Sequence, residues 1–204
     1  MPERSQQVRR GYHLSIITIS WNVIEGIVAV VSGLFVGSIA LMGFGVDSFV
    51  EVASGIVVGW RFSYEMSGRS PEKAEKAEMR AARITGSLLL ILAAYLLIES
   101  CRRLLGIGRA PAPSLPGIIL TTVSLIIMPT LAKAKLQVAE SVGSKALRAD
   151  SYESIACAWL SIATLLGLVL NALFHWWWAD PAAALAIIPL LAREGLKGLF
   201  GESD

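Results

Sequence analysis

The chain has 204 residues, 54% of them hydrophobic and only 17% charged, with a formal net charge of +2. Together with a mean hydropathy of +0.61, this excludes an ordinary soluble domain and points to a chain whose solvent is lipid. Two cysteines, at 101 and 157, both fall inside apolar runs and cannot frame a disulfide fold.

A bilayer core of ~30 Å needs ~20 apolar residues in a helix. The apolar runs predict six spans: about His13 to Val36, Ser38 to Trp60, Ile84 to Leu105, Leu115 to Leu131, Asp150 to Phe174 and Trp176 to Ala192. The fold class expected is therefore an all-α integral membrane protein with six transmembrane helices over residues 13–193.

Residues 1–12 are polar and basic and read as a cytoplasmic, interfacial or disordered arm that touches anionic lipid. In span one, Asn22 and Glu25 stand within an apolar run, where a carboxylate faces protein rather than lipid and either bonds a neighbouring helix or serves proton or cation traffic. Span two carries Asp47 and Glu51 one turn apart on one helix face. Two carboxylates so placed repel each other unless a proton or a cation lies between them.

Residues 62–83 form a charged cytoplasmic segment, in which Ser70 caps and Pro71 opens a helix with Glu72 and Lys76 as i, i+4 partners. Glu99 and Cys101 lie near the end of span three beside Arg102 and Arg103, and a local Glu99 to Arg103 pair is the plainer reading next to a cation exit route. Span four is interrupted by Pro129, and a polar loop with Lys133 to Arg148 joins it to span five. Span five opens with Asp150 and carries Glu153 and Cys157. Trp176 to Trp178 read as an interfacial aromatic belt, Asp180 before Pro181 as a helix cap or a pathway residue, and residues 194–204 as a short cytoplasmic tail.

Lys and Arg are absent from the loops between spans one and two and between five and six, which sets both termini in the cytoplasm by the positive-inside rule. Arg102, Arg103 and Arg109 dissent, falling on the outer side. The first apolar run is too long for a cleavable signal peptide and reads as a signal anchor and first span.

One short pattern occurs twice. GSIALMGFGVDSFVE begins at Gly37 and GSKALRADSYESIAC at Gly143, so that Asp47, Ser48 and Glu51 recur as Glu153, Ser154 and Cys157. These copies lie in spans of opposite direction, the plan of two inverted three-helix halves with a cation site where they meet. All the acids inside the spans (Glu25, Asp47, Glu51, Glu99, Asp150, Glu153, Asp180) are expected to lack a basic residue at their depth, apart from Glu99 and Asp150.

Asp47, Glu51, Glu153 and Cys157 are the expected ligands, with Asn22, Glu25, Glu99, Asp150 and Asp180 around them or on the pathway. Three carboxylates and a thiolate suit a divalent transition metal, with the thiolate shifting preference towards zinc or cadmium. Because the ligands must shed protons to bind, metal and protons compete for the same groups.

These motifs resemble the cation diffusion facilitator family, whose second helix carries the acidic pair matched by Asp47 and Glu51. Its fifth helix carries an Ala-Asp followed by a ligand pair, here Glu153 and Cys157 where His or Asp and Asp are usual. The resemblance is to the shorter, transmembrane-only branch that lacks the cytoplasmic C-terminal domain. It implies a homodimeric, proton-coupled exporter of zinc, or of manganese, iron, cobalt or cadmium. The partners expected are the bilayer, a divalent cation, protons and a second copy, with no nucleic acid and no resident cofactor; the place expected is a bacterial inner membrane. No nucleophile and base pair or cofactor loop suggests an enzyme, and the alternative is a membrane metal-binding scaffold or partner protein without transport.

Overall fold

A computed structural model describes residues 2–67 and 72–200; the side chains of residues 2, 3, 72–82, 84, 85, 145 and 198 are outside the description. The described residues form six helices, with turns and one longer loop, at 105–114, between them: α1 Pro2–Val36, α2 Ile39–Met66, α3 Glu72–Leu104, α4 Leu115–Val142, α5 Lys145–Phe174 and α6 Ala179–Phe200. The Ser70 cap, the Pro71 start and the Glu72 to Lys76 pair fall outside the described residues. Four helices are long and apolar enough to cross a membrane among those residues, within α1, α2, α4 and α5. α6 carries Arg193, Glu194 and Lys197 among only 22 residues, which leaves it short of a clean apolar span.

Several predicted boundaries move because helices outrun the apolar segments. The expected N-terminal arm is the opening of α1, which is helical from Pro2, and the expected tail is in part the end of α6, which continues to Phe200. Pro129 lies inside α4 without ending it, and the expected loop from Lys133 to Arg148 is helical except at Gly143 and Ser144. A helix of 30 residues, as α5 is, is about 45 Å long, more than a bilayer core needs.

The repeated Gly-Ser-x-Ala-Leu has a local structural cause. Gly37 and Gly143 take left-handed backbone, φ +71° and +69°, a conformation that glycine enters without steric cost. Ser38 and Ser144 follow as N-caps, their hydroxyls accepting from the amides of Leu41 and Leu147. Each copy of the pattern thus reverses the chain between two helices. The result is two tight helical hairpins, α1 with α2 and α4 with α5.

In the first hairpin the backbones approach closely at small residues, as membrane helices do when lipid removes the hydrophobic drive to associate. A Cβ placed on Gly45 would lie 2.8 Å from the backbone nitrogen of Val30. The second hairpin packs beside the first through α1 against α4 and α2 against α5, while α3 and α6 pair with each other on the flank of α2 and α5.

One end of the bundle is held by polar ties. Arg103 donates to the Gly37 carbonyl, Ala112 N–H to the Val36 carbonyl at 2.8 Å, and Asn171 Nδ2 to the Pro111 carbonyl at 2.9 Å. The start of α2 and the end of α5 therefore share this end, so the two helices run antiparallel, as inverted halves require. At the other end Arg4 meets Glu65 on the surface at 3.0 Å, and Val8, Phe62, Val138 and Leu147 pack in an apolar cluster.

Candidate cation site

Midway along the bundle, α1, α2, α4 and α5 each place polar side chains in the buried interior. From α1 come Asn22 and Glu25, from α2 Ser48 and Glu51, from α4 Lys135, and from α5 Asp150, Ser154 and Cys157, all buried. Their positions follow helical spacing: Glu51 lies one turn beyond Asp47, and Asp150, Ser154 and Cys157 share one face of α5.

The centre of the cluster is a fixed cation. Lys135, wholly buried, sets its Nζ 2.8 Å from Asp150 Oδ2 and 3.6 Å from Glu51 Oε1, and donates to Ser154 Oγ at 2.8 Å. Ser154 Oγ in turn donates to Glu51 Oε1. For Glu51 this corrects the expectation that it lacks a basic residue at its depth; Asp150 is already excepted, and Glu25, Asp47 and Glu153 make no ion pair among the described residues. The positive charge that the burial of Glu51 and Asp150 demands is supplied by α4.

Lys135 lies beyond Leu131, where the apolar run of span four ends, in a stretch whose composition is that of a polar loop. The signal that finds it is periodicity: Met128, Leu131, Ala132, Lys135, Val138, Ala139 and Val142 are all buried, at successive intervals of three or one residues, the stripe of a helix continuing inward.

Glu51 faces two ways. Its Oε1 is held by Ser154 and Lys135, whereas Oε2 makes no well-formed hydrogen bond among the described residues, with Asn22 and Cys157 the other polar neighbours of the carboxylate. Beyond Glu51 lies Asn22, whose side-chain oxygen and nitrogen likewise make no well-formed hydrogen bond. Glu25 Oε2 is 3.1 Å from Ser48 Oγ and 3.9 Å from Cys157 Sγ, and Glu25 Oε1 has no partner. Unsatisfied buried oxygens of this kind are costly and call for a proton, a water or a cation.

The four expected ligands are only partly gathered. Glu51 and Cys157 face each other across α2 and α5. Asp47 is half-buried on the α2 face that also meets Glu194 of α6. Glu153 is half-buried near Ser54 and Asp150. Among the described residues, no three His, Cys, Asp or Glu side chains are set to hold one metal ion.

The outer candidates have structural partners. Glu99 pairs with Arg103 at 3.3 Å, the local pair expected from the sequence, and also with Arg102 at 3.1 Å. Arg103, one of the dissenting arginines, also reaches Gly37. Asp180 caps a helix, although in trans: its carboxylate accepts from Ser38 Oγ and from Ile39 N–H at 2.9 Å. It thereby complements the positive N-terminal end of α2 from α6.

A buried acidic cluster between antiparallel helices of two matching hairpins is a transporter-like arrangement, and comparison with known proteins fixes the family. The family described as the cation efflux transmembrane domain matches residues 15–199. The chain belongs to this family. Among relatives of this cation efflux chain, magnetosome protein MamB of Paramagnetospirillum magneticum is 29% identical over 179 residues, 85% of this chain and 58% of MamB. The cadmium, cobalt and zinc/H(+)-K(+) antiporter of Bacillus velezensis is 24% identical over 191 residues, 91% of this chain and 60% of the antiporter. Manganese efflux system protein MneS of Bacillus subtilis is 22% identical over 205 residues, 99% of this chain and 70% of that protein. The cation efflux chain thus spans about three fifths of the length of the first two.

Proposed function

We propose that this chain is a secondary active transporter that exports a divalent transition-metal cation, zinc first among them, from the cytoplasm in exchange for protons. The observation that carries the reading is Glu51, a buried carboxylate with one oxygen outside any well-formed hydrogen bond, at the seam of two inverted hairpins in a cation efflux chain. The names of the relatives, a cadmium, cobalt and zinc antiporter and a manganese efflux protein, support a metal cargo.

Asp47, Glu51, Glu153 and Cys157 are the ligands we propose, drawn together when the cargo arrives. Cadmium, iron, cobalt and manganese are the other candidate cargoes, and the thiol of Cys157 favours zinc and cadmium over the harder ions. Protons entering from the far side take the ligand positions as the metal leaves, and rocking of the hairpins alternates access. The chain works as a homodimer in a bacterial inner membrane with both termini in the cytoplasm; Arg4 at the bundle end remote from the Gly37 turn agrees with that orientation.

Purified protein in liposomes, given zinc and an imposed pH gradient, tests the reading. Zinc flux that follows the gradient supports it, and its absence sinks it. A second reading, a membrane metal-binding scaffold without transport, is favoured by the Lys135 ion pairs, which already balance part of the cluster. Zinc binding without flux is its signature.

A further inference from the structure

We propose that Lys135 is a tethered competitor of the cargo, an internal ammonium that the incoming cation must push off Glu51. The inference rests on the export reading above and adds to it the residue that sets which cations enter. Its basis is geometric. Lys135 is not evenly shared: it is closely bonded to Asp150 at 2.8 Å and to Ser154 at 2.8 Å, but only loosely paired with Glu51 at 3.6 Å.

The looser partner is the one with an open side. Glu51 Oε2 and both polar atoms of Asn22 make no well-formed hydrogen bond among the described residues; the two side chains are neighbours, and both residues are almost wholly buried. A cation arriving at Oε2 repels the ammonium beyond Oε1. Lys135 can yield without leaving its burial site unpaired, because Asp150 and Ser154 already hold it. Glu51 then passes from one positive partner to another while the interior stays neutralised.

Discrimination follows from charge. Attraction to a carboxylate at a given distance scales with the charge of the guest, so a monovalent ion gains nothing over the ammonium it would displace, whereas a divalent ion does. Lys135 therefore acts as a threshold against monovalent ions. It is a specificity-determining residue and not a ligand.

The test is zinc affinity at constant pH, measured by competition with a fluorescent chelator, for wild-type protein, Lys135→Met and the charge-neutral pair Lys135→Met with Asp150→Asn. Should the single variant fail to fold, the double variant, which leaves the net charge unchanged, decides. Removing the competitor tightens zinc binding by about tenfold or more, the scale of one close charge pair, and makes that binding sensitive to added sodium. A merely structural lysine gives no gain of affinity when removed. Wild-type binding with equal or weaker affinity in the variant that folds overturns the role of Lys135 alone. Failure of wild type and variants alike to bind zinc overturns the export reading itself.

Discussion

Lys135 of α4 and Asp150 of α5 form an ion pair 2.8 Å long with both side chains fully buried, at the foot of the cluster that contains Glu51. Such a pair adds little net stability compared with apolar residues, but it is expensive to break from one side only. Replacing Asp150 by Ala while Lys135 remains should cost about 2–3 kcal/mol, below the full penalty of an orphaned buried charge because Glu51 at 3.6 Å stays as a looser counter-charge. Removing both partners should recover a large part of that loss. Thermal unfolding of the two singles and the double in one detergent gives the coupling directly, and additive losses would show that the two do not act as a pair.

Cys157 decides how soft the site is. Cys157→Ser exchanges a thiolate for a weak oxygen donor and should move the preference from zinc and cadmium towards manganese. Competition between these ions for flux into liposomes measures the shift. An unchanged order of preference would remove Cys157 from the ligand set.

Glu51 should matter more than Asp47 to metal binding, since Glu51 is buried at the seam whereas Asp47 is half-buried towards Glu194. Glu51→Gln is expected to abolish zinc binding and Asp47→Ala to weaken it severely without abolishing it. Isothermal titration of both variants checks the order; zinc affinity untouched by Glu51→Gln would place the site elsewhere.

Acidity gives an independent check. Each proton on Glu51, Glu153 or Cys157 is a ligand withdrawn, so apparent zinc affinity should fall as pH falls, with protons released to the medium on binding. Calorimetry in buffers of different ionisation enthalpy counts those protons. Affinity that is flat with pH would argue against exchange of metal for protons.

Asp180 ties α6 to the start of α2 through Ser38 and Ile39. Asp180→Ala leaves the Ile39 amide and the Ser38 hydroxyl without that acceptor in a buried place and should lower stability by about 1–3 kcal/mol. Asp180→Asn keeps one acceptor and should lose less. Equal melting curves for all three proteins would deny the tie any weight.

The helical class and the hairpin repeat were legible because both are local. Apolar length announces a membrane helix, and Gly-Ser-x-Ala-Leu prints its turn chemistry in consecutive letters. Glu99 with Arg103 was legible for the same reason, the two being partners within one helical turn. What stayed hidden depends on tertiary approach. Asp180 reads as the cap of its own helix because its real partner, Ser38, is 142 residues away. Lys135 was hidden by its neighbours: with Lys133 exposed two residues before it and Pro129 upstream, the stretch looks like a polar loop until the buried stripe of α4 is followed past it. The ligand set was read as four converging side chains, yet Asp47 and Glu153 sit towards the margins while α1 contributes Asn22 and Glu25 to the middle. Sequence offsets give the helix face, not the angle at which faces meet.

The reversals at Gly37 and Gly143 leave almost no slack between the helices they join. Each hairpin must therefore behave as a single stiff lever, with neither arm able to swing against its twin. Displacement on cargo binding is then expected along the line where the two levers touch, and along that line stand Glu51, Ser154 and the helix that brings Lys135. Spin labels on the two arms of one lever should hold a constant separation whatever ion is added, while labels placed across the line report the stroke.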